Sequence, residues 1–176
     1  MLKTSNQNLI RLNQAEFKQS DKTSIVIILD NIRSHHNVGS VFRTADAFLV
    51  EAIYLCGYTP QPPNRDIQKT ALGATDTVAW EYFASTIDAV NFAKQKGYKV
   101  VAIEQAEPKT ELQNFTPESK TALVFGSEVG GVNDDVLKNV DTCIEVPQFG
   151  TKHSLNISVC AGIVLWDLFS KIKFRR

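Results

Sequence analysis

Neither sign of charge is in excess in this chain: of its 176 residues, Lys+Arg and Asp+Glu number 19 each, for a formal net charge of zero. A whole-chain field that would draw in a polyanion is therefore missing, and a nucleic-acid partner would have to be held by a local basic patch. Cysteine is scarce and odd in number: Cys56, Cys143 and Cys160 follow no metal-ligand spacing, and each lies in an apolar neighbourhood. They read as small buried thiols in a reducing compartment, not as a disulfide framework or a metal site. No apolar run reaches the about 20 residues of a membrane span. The opening Met1-Leu2-Lys3-Thr4-Ser5-Asn6 lacks the basic-then-apolar order of a signal peptide. These absences predict a cytoplasmic protein without a membrane partner. What is plentiful is apolar content, 43%, enough for one real core in a chain of this length.

The apolar residues fall into alternating strand and helix patterns, which predict an α/β fold with a mostly parallel sheet. Ser24-Ile25-Val26-Ile27-Ile28-Leu29 is a β-branched run of the kind buried on both faces. A helix is expected from about Asn37 to Leu49, with Val38, Val41, Phe42, Ala45 and Leu49 as its stripe, followed by a strand at Ala52–Cys56. Residues 57–70, with Gly57, Pro60, Pro62 and Pro63, read as a long loop of the functional kind. A strand, helix and strand follow at 79–83, 85–95 and 98–103, then strands at 121–125 and 142–146 around a short helix near 134–139. Residues 5–20, with Leu9, Ile10, Leu12 and Phe17, suggest a short helix laid on the body, and residues 1–23 read as an extension to a domain spanning 24–176. The last helix, from Ser154 to about Lys171, has two apolar stripes, one with Val159, Ile163 and Trp166, the other with Ile157, Ala161, Val164 and Leu168. A small sheet covers one stripe, so the other is expected to face a second subunit in a homodimer.

Three segments can carry chemistry. In Asp30–Arg43, Asn37 is a good helix N-cap, Gly39 admits a close backbone, and Arg43 stands off the apolar stripe; its bland role is an ion pair with Asp46 at i+3. Phe125-Gly126-Ser127-Glu128-Val129-Gly130-Gly131 is a glycine-rich turn at a strand end, where α/β sheets lay ligands against backbone. It has neither the Lys of a P-loop nor the G-x-G-x-x-G spacing of a dinucleotide site. Val146-Pro147-Gln148-Phe149-Gly150-Thr151-Lys152-His153-Ser154-Leu155-Asn156-Ile157-Ser158 runs from a strand into a helix that Ser154 can cap. His35, His36 and His153 have no nucleophile placed beside them.

Taken in order, these segments resemble the three motifs of the SpoU (TrmH-type) RNA ribose methyltransferases of the SPOUT superfamily. Asn37, Gly39 and Arg43 match the first motif; Phe125, Gly126, Ser127, Glu128 and Gly131 match the second, with Val129 where the family usually has Gly; Pro147, Ser154, Leu155, Asn156 and Ser158 match the third. The likeness covers about residues 24–170. It implies an α/β domain, helices on both faces, with a deep C-terminal trefoil knot. It implies S-adenosyl-L-methionine held by loops around Ile103, Glu104, Gly126, Val146, Pro147, Ser154 and Leu155, a homodimer, and no metal. Arg43 would act on a ribose 2′-hydroxyl, with Asn37, Glu128, Ser154 and Asn156 orienting it and the ribose. Arginine keeps its proton in proteins, so Arg43 would either stabilise the developing alkoxide or sit in an environment built to remove that proton.

The substrate implied is RNA, tRNA favoured over rRNA. Arg33, Arg65, Lys69, Lys152 and the tail Lys171, Lys173, Arg175 and Arg176 are candidate phosphate contacts. Two other readings stand beside it: a binding module of the same fold without catalysis, and a knotted base methyltransferase.

Overall fold

Continuous apolar runs make the centre of the molecule. In the computed structural model, which describes Met1, Lys3, Thr4, Leu9 and residues 11–174, the elements in chain order are α1 (Gln14–Gln19), β1 (Thr23–Asp30), α2 (His35–Ala47), β2 (Val50–Cys56), α3 (Arg65–Ala71), β3 (Ala79–Phe83), α4 (Thr86–Gln95), β4 (Lys99–Ile103), β5 (Thr110–Glu111), β6 (Thr121–Phe125), α5 (Asp134–Leu137), β7 (Thr142–Glu145) and α6 (Ile157–Lys173). Ile10, Arg175 and Arg176, which figured in the sequence reading, lie outside the described residues. The strands form one seven-stranded sheet in the order β3-β2-β1-β6-β4-β7-β5, and every neighbouring pair is parallel.

Side-chain alternation along β1 sends Ile25, Ile27 and Leu29 to one face and Val26 and Ile28 to the other. On the first face they pack with Phe42 of α2, Ile67 of α3 and Ala161, Val164 and Leu168 of α6. On the second they meet Ala89, Val90 and Ala93 of α4 and Val136 of α5. Both faces of the sheet therefore carry helices, as a β-branched run with no polar side requires. Gly39 is where α2 and α3 touch: an added Cβ would lie 2.3 Å from the Ile67 carbonyl oxygen. Among the described residues no helix is long and apolar enough to cross a membrane.

Several local expectations need correction. Asn37 does not cap α2; Ser34 does, its Oγ accepting from the Asn37 N–H at 3.2 Å, so the helix starts at His35 and ends at Ala47. Asn156, not Ser154, caps α6, because its Oδ1 reaches the N–H groups of both Ser158 and Val159. Leu155 consequently lies outside the helix. Residues 57–70 are not all loop: Asn64 accepts from the N–H groups of Asp66 and Ile67 and starts α3. Lys171 is not a solvated tail cation. It is buried, donating to the carbonyls of Leu112 and Phe115 at 2.7 and 2.9 Å and pairing with Asp167 at 2.5 Å. It thereby pins the turn after β5, a two-residue strand with no sequence signature, to α6.

All seven strands point the same way, so their carboxyl ends share one edge. There β6, although later in the chain, lies between β1 and β4. Reversals of strand order of this kind leave a crevice outside the carboxyl ends, where open α/β sheets hold ligands.

Candidate active site

The crevice is a cavity of about 460 Å³ at the ends of β4, β6 and β7, within the range of cofactor pockets. Ile103, Glu104, Gly126, Val146, Ser154 and Leu155, all picked out from the sequence, line it; Pro147 does not, and its neighbour Gln148 does. Gly131, matched to the second motif, also lines it, as do Gln105 and Val132, which were not singled out, and Cys160, read from the sequence only as a buried thiol.

Two walls of the cavity are braced from within. The turn after β6 folds back on itself, Ser127 and Gly131 exchanging backbone hydrogen bonds at 3.0 Å each way. Gly126 permits this, because a Cβ there would lie 2.0 Å from the carbonyl carbon of Gly131. Glu104 fastens the turn to β4: one carboxylate oxygen accepts from the Val132 N–H and the other from the Gln105 N–H, both at 2.8 Å. The Gln105 side chain reaches the opposite wall, donating to the His153 carbonyl at 2.6 Å. Its position just past the end of a legible strand was the one available signal for it. Cys160 completes the floor; burial, with a further push from the Glu104 charge, raises its thiol to about 11, so it is neutral and unreactive at neutral pH.

A chain of hydrogen bonds joins the three segments at this edge. Since Ser34 has taken the capping role, the Asn37 carboxamide is free: its Nδ2 donates to Glu128 Oε1 at 2.9 Å. Asn37 Oδ1 in turn accepts from Asn156 Nδ2 at 3.2 Å. Asn156 spends its own oxygen on the first turn of α6, including the Ser158 hydroxyl at 2.7 Å. Glu128 and Asn156 are 91 and 119 residues from Asn37, so this contact is made by the fold and not by local sequence.

Other polar groups here are left without protein partners. Ser154, relieved of capping, is exposed on the cavity wall. Among the described residues the backbone of 147–155 takes part in no backbone–backbone hydrogen bond. Apart from the His153 carbonyl, which the Gln105 side chain occupies, its N–H and C=O groups are therefore available to a ligand's polar edge. Arg43 is exposed on α2 and does not line the cavity. Its expected pairing with Asp46 is not made: Asp46 accepts from the Thr77 hydroxyl instead. Among the described residues no acceptor meets the Arg43 guanidinium.

The chain is similar to known proteins over most of its length. The model of the SpoU rRNA Methylase family matches residues 24–166. A Staphylococcus saprophyticus protein assigned to the TrmH family of tRNA/rRNA methyltransferases is 31% identical over 157 residues, 89% of this chain and 63% of its own length. A Staphylococcus aureus protein of the same assignment is 30% identical over 154 residues, 88% of this chain and 62% of its own. The chain thus spans a little under two thirds of these relatives. Among solved structures, the A. aeolicus TrmH/SpoU tRNA modifying enzyme superposes with a TM-score of 0.80 at 23% identity, covering 90% of this chain and 80% of that one. The AdoMet-bound rRNA methyltransferase of Sinorhizobium meliloti gives 0.79 at 23%, covering 92% and 60%. At such identities the likeness is one of fold.

Proposed function

This chain belongs to the SpoU rRNA methylase family, and from that premise we propose that it transfers a methyl group from S-adenosyl-L-methionine to a ribose 2′-hydroxyl of RNA, tRNA in preference to rRNA. The observation that carries the reading is the Glu128–Asn37–Asn156 hydrogen-bond chain, which draws three distant segments together at the edge that holds the cavity. The cavity fits the cofactor in size and in donor set, offering unpaired backbone groups from 147–155 and apolar walls from Ile103, Leu155 and Cys160. When bound, S-adenosyl-L-methionine supplies an electrophilic methyl group on a sulfonium. Val146 and Gln148, on the cavity wall to either side of Pro147, would face the ligand.

The ribose hydroxyl would pass its proton to solvent water, and the negative charge this leaves on the oxygen would be discharged as the new O–CH3 bond forms and the electrons of the broken C–S bond return to sulfur. Arg43, protonated and with its five N–H donors unspent, stabilises that charge. Glu128, Asn37 and Asn156, locked to one another, fix where the ribose sits, and Ser154 presents its hydroxyl from the cavity wall. Arg43 lies off the cavity of its own chain, and this fits a homodimer in which two chains complete each site. Support comes from α6, whose outer face leaves Val159, Ile163 and Trp166 at 52%, 40% and 53% exposure. The same reading takes 24–176 as the catalytic domain, with 1–23 as an extension, a C-terminal trefoil knot formed where α6 returns to the α2 face, and the cytoplasm as its place of work.

The test is incubation with labelled S-adenosyl-L-methionine and, separately, unmodified tRNA and rRNA, followed by nucleoside analysis. We expect a 2′-O-methylated nucleoside, with Arg43→Ala lowering the rate by about 10³-fold at unchanged cofactor affinity. A methylated base, or cofactor binding without any transfer, would replace the reading by one of its two rivals. Light scattering of the purified protein, with Trp166→Glu as the disrupting variant, checks the dimer.

A further inference from the structure

A second constructed feature stands on the same edge, beyond the ends of β1 and β2. Asn31 has a φ of 56°, a left-handed conformation that asparagine tolerates better than most residues, and its carboxamide lies against Gly57, where an added Cβ would be 2.1 Å from Oδ1. That oxygen accepts from the Tyr58 N–H at 3.2 Å, while Nδ2 donates to the buried Asp30 carboxylate at 2.9 Å. On the other side of Tyr58, the buried Thr59 hydroxyl donates to the Leu29 carbonyl at 3.1 Å and accepts from the Ile32 N–H at 3.0 Å. The backbone of Tyr58 and the side chain of Thr59 are thus both tied to the β1 end, as is Ile32, next to Arg33.

From this fixed backbone two side chains project into solvent. Tyr58 is 56% exposed. The Arg33 guanidinium carbon stands over its ring, 5.7 Å from the centroid. Among the described residues Arg33 makes no ion pair, so its charge is not neutralised and its N–H donors are unspent. An aromatic ring left half in water on an immobile support, beside an unpaired guanidinium, has the make-up of a stacking platform for a base with a contact for its phosphate. The chain has no net positive charge, so RNA must be held by local arrangements of this kind. Arg33 also lies four residues before Asn37, in the loop that delivers α2 to the cavity edge.

Resting on the methyl-transfer reading above, we propose that Arg33 and Tyr58 form an RNA-binding subsite, Tyr58 stacking on an unpaired base next to the target nucleotide and Arg33 holding a backbone phosphate. The experiment measures methyl transfer to total RNA from cells lacking this protein, as KM and kcat separately, with cofactor affinity by calorimetry as the control for folding. Tyr58→Leu is expected to raise the KM for RNA about tenfold with kcat and cofactor affinity unchanged, the scale of one lost stacking partner. Tyr58→Phe, which keeps the ring, is expected to match the parent. Arg33→Ala is expected to lower the slope of log affinity against log salt by about one, the signature of one phosphate contact. A KM within about twofold of the parent in Tyr58→Leu, or an unchanged salt slope in Arg33→Ala, overturns the subsite. Absence of transfer by the parent protein instead overturns the methyltransferase reading itself.

Discussion

The two ends of the sheet are built from similar residues and finished differently. At the amino end several polar side chains are consumed by the protein, the buried Tyr98 hydroxyl being an exception. Thr23 donates through both its N–H and its hydroxyl to the end of α2 and the turn after it, at 2.8 Å each. Asp141 accepts from the Val100 N–H at 2.7 Å and pairs with Lys94 at 3.0 Å, and Lys99 pairs with Glu118 at 2.8 Å. At the carboxyl end some groups are equally finished: Asp30 accepts from Thr86, Asn31 and Asn133, and Glu104 from two backbone N–H groups. Others are not. Arg43, Ser154, the backbone of 147–155 and the Arg33–Tyr58 pair hold unspent donors, acceptors or ring faces. What separates structure from function here is how much of each polar group is already satisfied, since acids and hydroxyls occur at both ends.

That distinction breaks if a finished residue turns out to govern transfer, or an unfinished one stability. Asp30 is the strongest case, a 2% exposed carboxylate on the functional edge with three donors aimed at it. Asp30→Ala should cost about 3 kcal/mol in urea unfolding, because it strands those buried donors, while the folded fraction keeps its cofactor affinity. Glu128, exposed and with only Oε1 taken, belongs with the unfinished groups, and Glu128→Ala should do the reverse, lowering transfer about 10²-fold, equivalent to about 2.7 kcal/mol, with the urea midpoint nearly unmoved. Ser34→Ala sharpens the comparison at a smaller scale. Loss of the α2 cap should cost about 1 kcal/mol, and an activity loss beyond that would mean the cap also sets the position of Asn37.

The smallest effect is a pH dependence at the amino end. Burial pushes the Asp141 carboxyl up, but the Val100 N–H and the Lys94 ammonium outweigh it and hold the group below its ordinary value of 3.8. A depressed carboxylate contributes stability that is complete above the unfolded value and is lost as pH falls through the folded one. Asp141→Asn should therefore flatten the fall in urea midpoint between about pH 5 and about pH 3, leaving transfer at neutral pH unaltered.

The layered sheet was legible because β1, β2, β4 and β6 are long enough in apolar residues to admit no solvent face. The close approach at Gly39 was legible from the residue itself, since a glycine in a helix has no side chain to keep a neighbouring backbone away. Helix starts were less so. Ser34 and Asn37, like Ser154 and Asn156, are pairs of competent caps a turn or less apart; in each it is the asparagine that reaches across the fold, Asn37 because Ser34 caps in its place and Asn156 through its Nδ2 while its Oδ1 caps. β5 has only two residues, too few for any period to show. Burial of Lys171 depends on three carbonyls of a turn 56 to 59 residues away, which no local pattern announces. The cavity wall was found through likeness to a family, because loop residues such as Val146 and Leu155 carry no periodicity of their own.

The position of β6 has a consequence for how the protein is made. β1 and β4 are joined side by side only through β6, yet β6 is synthesised after both. A nascent chain that has emerged as far as β4 holds two pieces of sheet with a strand-wide gap between them, and each must wait with a long apolar edge uncovered. The cavity needs still more, since Ser154, Leu155 and Cys160 on its wall follow β7 in the chain. A chain that has emerged only as far as β7 therefore lacks one wall of the cavity, and the pocket is complete only once the segment leading into α6 is in place.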